Sequence, residues 1–147
     1  MPRELTERER EVALALIRRA TPSPEAADRA GFTAEQEVAW ERPESLTAAQ
    51  RTRWEEHLAE AVVTHECGCG TCPTVGMRPR DRADDPRRDD RGGPGDFRER
   101  IILEAAAENA QLLLFVDDGV PGCMELAPIC EEGHLWTEFP PPEEITF

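Results

Sequence analysis

The segment Leu112-Leu-Leu-Phe-Val-Asp-Asp-Gly119 decides the fold of this 147-residue chain. Its first five residues are apolar on both strand faces, which predicts a strand in the buried interior of a sheet. The Asp117-Asp118-Gly119 end is a strong turn signal. Cys123-Met-Glu-Leu-Ala127 then alternates apolar and polar side chains, with Met124 and Leu126 on one face. Together the two segments predict an antiparallel hairpin.

Further strands are predicted on both sides of a charged segment. Arg100–Ala107 precedes the hairpin, Ala61-Val-Val-Thr-His65 is short and β-branched, and Thr74-Val-Gly-Met77 continues the sheet. Residues 78–99 mix opposite charges with Pro and Gly, which predicts a flexible charged loop. The tail Phe139-Pro-Pro-Pro142 cannot add a central strand, so we expect it to run extended over the surface.

The N-terminal region has helical signals. The capping-box pattern, in which Thr and Glu or Gln satisfy opposite ends of a first turn, occurs at residues 6–9, 33–36 and 47–50. Apolar residues recur after the first box at helical spacing. Trp40 and Trp54 have apolar neighbours at this spacing, which is typical of core residues. The sequence predicts helices over 6–20, 24–30, 33–41 and 47–61.

These elements predict an α+β domain over residues 1–147. A helical region, 1–61, packs on a small antiparallel β-sheet formed by 62–77 and 100–137. The first strand of that sheet carries a Cys-rich turn.

The charge of the chain restricts its partners. The net charge is −14, and residues 101–147 hold ten carboxylates and no Lys or Arg. Such a segment repels phosphate backbones and anionic lipid, so we expect no direct binding to nucleic acid or membrane. A basic protein partner is electrostatically favoured. No stretch approaches 18 consecutive apolar residues and no secretory signal is evident, so we expect a cytoplasmic protein.

The densest chemical signal is His65-Glu-Cys67-Gly-Cys69-Gly-Thr-Cys72. Zinc prefers four soft or borderline ligands in a tetrahedron, and Cys69-x2-Cys72 has a usual half-site spacing. Gly68 and Gly70 are expected to supply the positive φ angles of a tight thiolate loop. Cys130-x3-His134 has suitable spacing for the second half-site, and Cys123 or His65 could supply the missing ligand instead. The candidate zinc ligands are therefore His65, Cys67, Cys69, Cys72, Cys123, Cys130 and His134.

Two other interpretations of the cysteines stay open. Structural disulfides are uncommon in cytoplasmic proteins, so the thiols can be reduced and unliganded. Alternatively, they serve a redox enzyme or sensor, although the acidic surroundings raise a thiol pKa.

The cysteine segment, extended to Val75, resembles an uncharacterised family of small proteins from high-GC bacteria. Members carry a CGCGCP[ST]V-like strand, an LLLFVDDG-like strand and a hairpin strand that ends near prolines, as in Met124-Glu-Leu126 and Pro140 here. The resemblance covers the C-terminal 85 residues or so, counted over the strand pattern. This chain differs by an inserted Thr71. The resemblance implies the β-sheet and no activity.

No catalytic set is evident. The chain has no Lys and no Tyr, and it has no nucleophile elbow or phosphate-binding Gly loop. Asp117 and Asp118 are candidate paired carboxylates, but their place in a turn explains them without function. His57 is expected on the exposed side of its helix. We therefore expect a non-catalytic acidic interaction or accessory protein of the immunity or antitoxin kind, with a metal-binding module and a thiol-dependent redox protein as the alternatives.

Overall fold

A computed structural model of the chain describes residues 2–22, 46–69, 72–84, 100–129 and 136–147. These residues form two α-helices and a seven-stranded antiparallel sheet, so the α+β class is confirmed. The strand order across the sheet is β1-β3-β4-β7-β6-β5-β2. The strands are β1 (Arg3–Glu4), β2 (Thr21–Pro22), β3 (Ala61–Glu66), β4 (Val75–Pro79), β5 (Arg100–Ala107), β6 (Ala110–Asp117) and β7 (Val120–Pro128), and the helices are α1 (Glu7–Arg19) and α2 (Ala48–Ala59).

The predicted hairpin is formed by β6 and β7. Phe115 lies opposite Cys123, and Asp117 lies opposite Val120. The two-residue turn between the strands has Asp118 at φ 50° and Gly119 at φ 78°. Two successive positive φ angles match the right-handed twist of the strands, which is why an Asp-Gly pair closes this hairpin.

Strand β6 has both faces buried, as its sequence predicts. Leu112 and Leu114 are 0% exposed on the face that meets the helices, and Leu113 and Phe115 are each 4% exposed on the other face. The strand lies between β5 and β7, so its backbone groups bond on both sides. Apolar residues on both faces are therefore required over residues 112–116.

Both described helices begin at the predicted capping boxes. The Thr6 hydroxyl accepts from the Glu9 N–H, while the Glu9 carboxylate accepts from the Thr6 N–H. Thr47 and Gln50 make the same reciprocal pair at the start of α2. The predicted helices over 24–30 and 33–41, with their capping box and Trp40, lie outside the described residues.

One hydrophobic core joins the helices to the sheet. It contains Val12, Leu16 and Ile17 of α1 together with Trp54 and Leu58 of α2. These side chains face apolar residues from strands β3 to β7, which are Ala61, Val63, Val75, Met77, Ile101, Leu103, Ala105, Ala110, Leu112, Leu114, Val116, Met124 and Leu126. No described helix is both long and apolar enough to cross a membrane.

The N-terminal region also contributes two short strands, which were not predicted from the sequence. Strand β1 pairs with β3 at one edge of the sheet, and β2 pairs with β5 at the other edge. Helix α1 runs between them, and its 13 residues span about 20 Å at 1.5 Å per residue. Strands of two residues are too short to show an alternating pattern, so nothing in the sequence signals them.

Part of the C-terminal tail is buried, contrary to the expected surface position of Phe139. Phe139 is 1% exposed and Ile145 is 6% exposed, and both belong to the core. The Arg8 side chain donates to the Phe139 carbonyl, and Thr146 pairs with Ala106 of β5. Prolines keep the tail out of the regular sheet, but they do not prevent the apolar residues between them from packing.

Two smaller expectations also need correction. The loop predicted from residue 78 begins later, because β4 extends to Pro79 and a 3₁₀ turn covers Arg80–Arg82. Residues 85–99 of that segment lie outside the described residues. His57 is half-buried on α2, where we expected it to be exposed.

The second face of the sheet carries a smaller cluster of Ile102, Leu113, Phe115 and Cys123. Beside it, Arg100 donates from Nε and Nη2 to the two Asp117 carboxylate oxygens at 2.6 and 2.9 Å. The guanidinium also lies 4.9 Å from the Phe115 ring centroid. Asp117 is thus a structural ion-pair partner, while Asp118 occupies the exposed turn.

Candidate metal centre

The cysteine segment connects β3 to β4. Strand β3 ends at Glu66 and β4 begins at Val75. The Cys67 N–H donates to the Thr74 carbonyl at 3.0 Å, which extends the ladder by one pair beyond the strands. This bond fixes Cys67 at the base of the connection. Cys69 and Cys72 lie beyond it, in the loop itself.

The loop brings three thiols together. The Sγ atoms of Cys67, Cys69 and Cys72 all lie within 4.8 Å of one another. Those of Cys69 and Cys72 are 3.3 Å apart. Zinc–sulfur bonds of about 2.3 Å in a tetrahedron place sulfurs about 3.8 Å apart, so small shifts suffice to centre an ion among the three. The group is close enough to hold a metal ion.

A threonine connects this loop to the middle of the sheet. The Cys72 thiol lies 3.5 Å from the Thr74 hydroxyl, to which it donates. The same hydroxyl accepts from the Leu126 N–H of β7 at 3.1 Å. Mutation of a group that holds a ligand residue in place typically lowers metal affinity by about 10–100-fold. Sequence reasoning missed Thr74, because only the fold brings Leu126 beside it.

The packing of the thiols changes their acidity. A hydrogen bond with the Cys69 backbone favours the Cys67 thiolate, but contacts with the Cys69 and Cys72 thiols, and burial, outweigh it. The Cys67 pKa is therefore raised. Adjacent thiols resist carrying negative charge together, and a bound dication removes that resistance by compensating the charge.

A cavity of about 790 Å³ adjoins the thiols. Cys67 and Cys72 lie in its wall, together with residues from β1, the start of α1, the β3–β4 connection and residues 137–139. Five glutamates and two arginines line it, so the cavity is acidic. Ions of positive charge are favoured in such surroundings over anions.

An ion-pair network forms the side of the cavity nearest α1. Arg3 donates from Nη1 and Nη2 to the two Glu9 oxygens at 2.9 and 2.8 Å, and from Nε to Glu66 at 2.6 Å. Burial pushes the Glu9 pKa up, but the bonds from Arg3 and the Thr6 N–H outweigh it and hold the pKa below its ordinary value. The network ties β1, the start of α1 and the end of β3 together.

Of the other candidate ligands, the structure describes His65 and Cys123, and neither joins the three thiols. His65 lies on β3 opposite Gly76, and Cys123 lies opposite the other side of Gly76 on β7. Neither side chain belongs to the group that could hold a metal ion, and Cys123 packs in the apolar cluster on the second face of the sheet. Cys130 and His134 lie outside the described residues. The predicted positive φ angle at Gly68 is wrong, since Gly119 is the glycine with positive φ in the described part of the chain. Gly70 lies outside that part.

Comparison with known proteins adds no relative. No family model matches the chain, and no curated protein or solved structure resembles it significantly.

Proposed function

We propose that this is a zinc-binding protein in which Cys67, Cys69 and Cys72 hold the ion and the zinc has a structural role. The observation that carries the proposal is the convergence of the three sulfurs within 4.8 Å. Thiolates are soft donors, and zinc accepts them in closed structural sites more readily than magnesium or calcium does. The zinc site and the Thr74 bonds would hold the β3–β4 connection against β7.

The position of the cluster also supports a structural role. It lies at the end of a hairpin, where the strands no longer pair, and the three cysteines are outside the hydrophobic core. A metal at this point stabilises the connection without forming the core. We therefore expect that chelation lowers the melting temperature and leaves the secondary structure in place.

Metal analysis of protein purified without added metal tests the proposal. We expect about one zinc per chain by elemental analysis and native mass spectrometry. Cys69→Ser should lose the metal, whereas Cys123→Ala should retain it, because Cys123 lies apart from the cluster. Metal-free protein with five titratable thiols would overturn the proposal.

The fourth ligand is identified with the same assay. His65→Ala, Cys130→Ser and His134→Ala are compared after cobalt substitution, in which thiolate-to-metal absorption reports the number of bound sulfurs. Loss of affinity in a single variant would assign the residue. Unchanged affinity in all three would assign the fourth position to water or to another group.

A second candidate function is binding of a basic protein partner. Glu138, Glu143 and Glu144 are exposed near the C-terminus and form no ion pair with the described residues. Such charges increase association rates at low salt. Binding to an arginine-rich peptide should weaken in Glu143→Gln/Glu144→Gln and at high salt, and salt-independent binding would contradict this function.

A further inference from the structure

We propose that Cys69 and Cys72 form a reversible disulfide in reaction with a hydroperoxide, and that this modification releases the metal. The disulfide depends on the geometry of the two thiols alone. Only the release of metal rests on the proposed zinc site.

The two sulfurs are already in contact. Their separation of 3.3 Å lies between the 2.05 Å or so of a disulfide and the 3.8 Å or so of two thiolates on one tetrahedral zinc. Closing the disulfide requires a movement of roughly 1.3 Å, counted from the disulfide bond length. The pair therefore lies near both its metal-binding and its oxidised arrangements.

The surroundings and spacing of the thiols assign the disulfide to Cys69 and Cys72 and not to another pair. Cys69 is exposed to solvent, and Cys72 lines the open cavity as Cys67 does, so an oxidant reaches all three and access alone does not choose the pair. Cys67 is held by its backbone bond to Thr74, and a single residue separates it from Cys69. Cys69 and Cys72 are separated by two residues, which is the spacing of reactive Cys-x-x-Cys pairs. Cys123 is 4% exposed and lies in the apolar cluster.

The reaction has two steps. The Cys69 thiolate attacks one oxygen of the hydroperoxide, the O–O bond breaks, and Cys69 becomes a sulfenic acid while hydroxide or alkoxide leaves. The Cys72 thiolate then attacks the Cys69 sulfur, the S–O bond breaks, and hydroxide leaves to be protonated to water. The two sulfurs together lose two electrons, and the peroxide gains them. A dithiol reductant reverses the change by thiol–disulfide exchange.

The disulfide removes two of the three thiolate ligands. A disulfide sulfur has no negative charge to donate, and only Cys67 is left of the group. Because zinc needs several charged or imidazole donors at once, the ion leaves. Oxidation thus converts the metal-bound loop into a cross-linked loop without metal.

Peptide mapping tests the disulfide. Trypsin cleaves after Arg except before Pro, so Cys67, Cys69 and Cys72 fall in peptide 54–80, and Cys123 falls in peptide 101–147. After stoichiometric hydrogen peroxide and blocking of free thiols, we expect peptide 54–80 to be lighter by two hydrogen atoms and to carry one blocking group. Fragmentation should place the bond between Cys69 and Cys72. Cys69→Ser should abolish it, while Cys123→Ala should leave it unchanged.

Metal release is followed in the same samples with a coloured zinc chelator. We expect zinc to appear as the disulfide forms and to rebind after reduction. Oxidation confined to peptide 101–147, or sulfinic acid at Cys69 without a disulfide, would overturn the assignment. A disulfide that forms while zinc stays bound would overturn the release.

The outcomes separate this inference from the proposed function. Protein that contains no zinc but forms the Cys69–Cys72 disulfide refutes the zinc site and supports the modification. If the purified protein holds zinc, but forms no disulfide after the metal has been removed by chelation and the oxidant added, the modification is refuted and the zinc site stays in place.

Discussion

The replacement Asp117→Asn should destabilise the protein strongly, although it keeps the shape of the side chain. Asp117 accepts two hydrogen bonds from Arg100, whose side chain is 1% exposed. The two residues lie opposite each other on β5 and β6. An amide leaves the guanidinium charge buried without its counter-charge, which costs about 3–5 kcal/mol for a buried pair. Urea denaturation should show the midpoint falling by roughly 2 M at an m-value of about 2 kcal/mol/M.

Two controls make this test specific. Asp118→Asn makes the same chemical change at the next position, which is exposed and in a left-handed conformation that Asn tolerates. Its effect should be within about 0.5 kcal/mol. The double variant Arg100→Met/Asp117→Leu removes both charges and should be more stable than Asp117→Asn. Equal midpoints for Asp117→Asn and Asp118→Asn would refute the reasoning, because they would show that the pair is screened by solvent.

Three further changes have distinct expected results. Glu9→Gln should lower the free energy of unfolding at neutral pH. Because the folded-state pKa of Glu9 is depressed, this deficit relative to wild type should disappear as pH falls below the ordinary glutamate pKa of about 4.3. A deficit in urea melts that does not change with pH would contradict this. Phe139→Ala should cost about 3–5 kcal/mol, whereas Phe147→Ala, at an exposed position, should cost far less in the same thermal melts. Gly119→Ala should cost about 1–2 kcal/mol through backbone strain at positive φ, while Gly68→Ala, with nothing within 4 Å of its added Cβ, should be nearly neutral by calorimetry.

The parts of the fold with strong local signals could be predicted from the sequence. The capping boxes at Thr6 and Thr47 satisfy donors a few residues away, so the sequence contains the whole interaction. Asp118-Gly119 likewise determines its own turn. Residues 112–116 of strand β6 are all apolar and therefore indicate that both faces are covered.

The missed features depend on contacts between distant residues. Strand β1 forms only because β3 offers an unpaired edge about 60 positions later, which its two residues cannot signal. Phe139 is buried because α1 and the sheet leave room for it, although the neighbouring prolines indicate a surface tail. Such contacts depend on the assembled fold, and no local pattern contains them.

The candidate site was predictable in part. Spacing alone was sufficient to propose Cys67, Cys69 and Cys72, because they lie within six consecutive residues of the chain, which cannot separate them far. Cys123 was proposed as a further ligand from residue type alone, and the structure places it in the cluster on the second face of the sheet. The Thr74 bond to Leu126 required the three-dimensional register of β4 and β7.

The N-terminal segment of residues 3–22 has a consequence for synthesis. Its two short strands close opposite edges of the sheet, yet their partners begin at Val62 and end at Glu104. This segment is synthesised before the strands with which it pairs, so neither edge can be closed until its partner strand has followed. A truncation that removes it would leave both edges open at once, and open edges pair with other chains. Residues 3–22 thus protect both edges from self-association only after the chain has been made as far as Glu104.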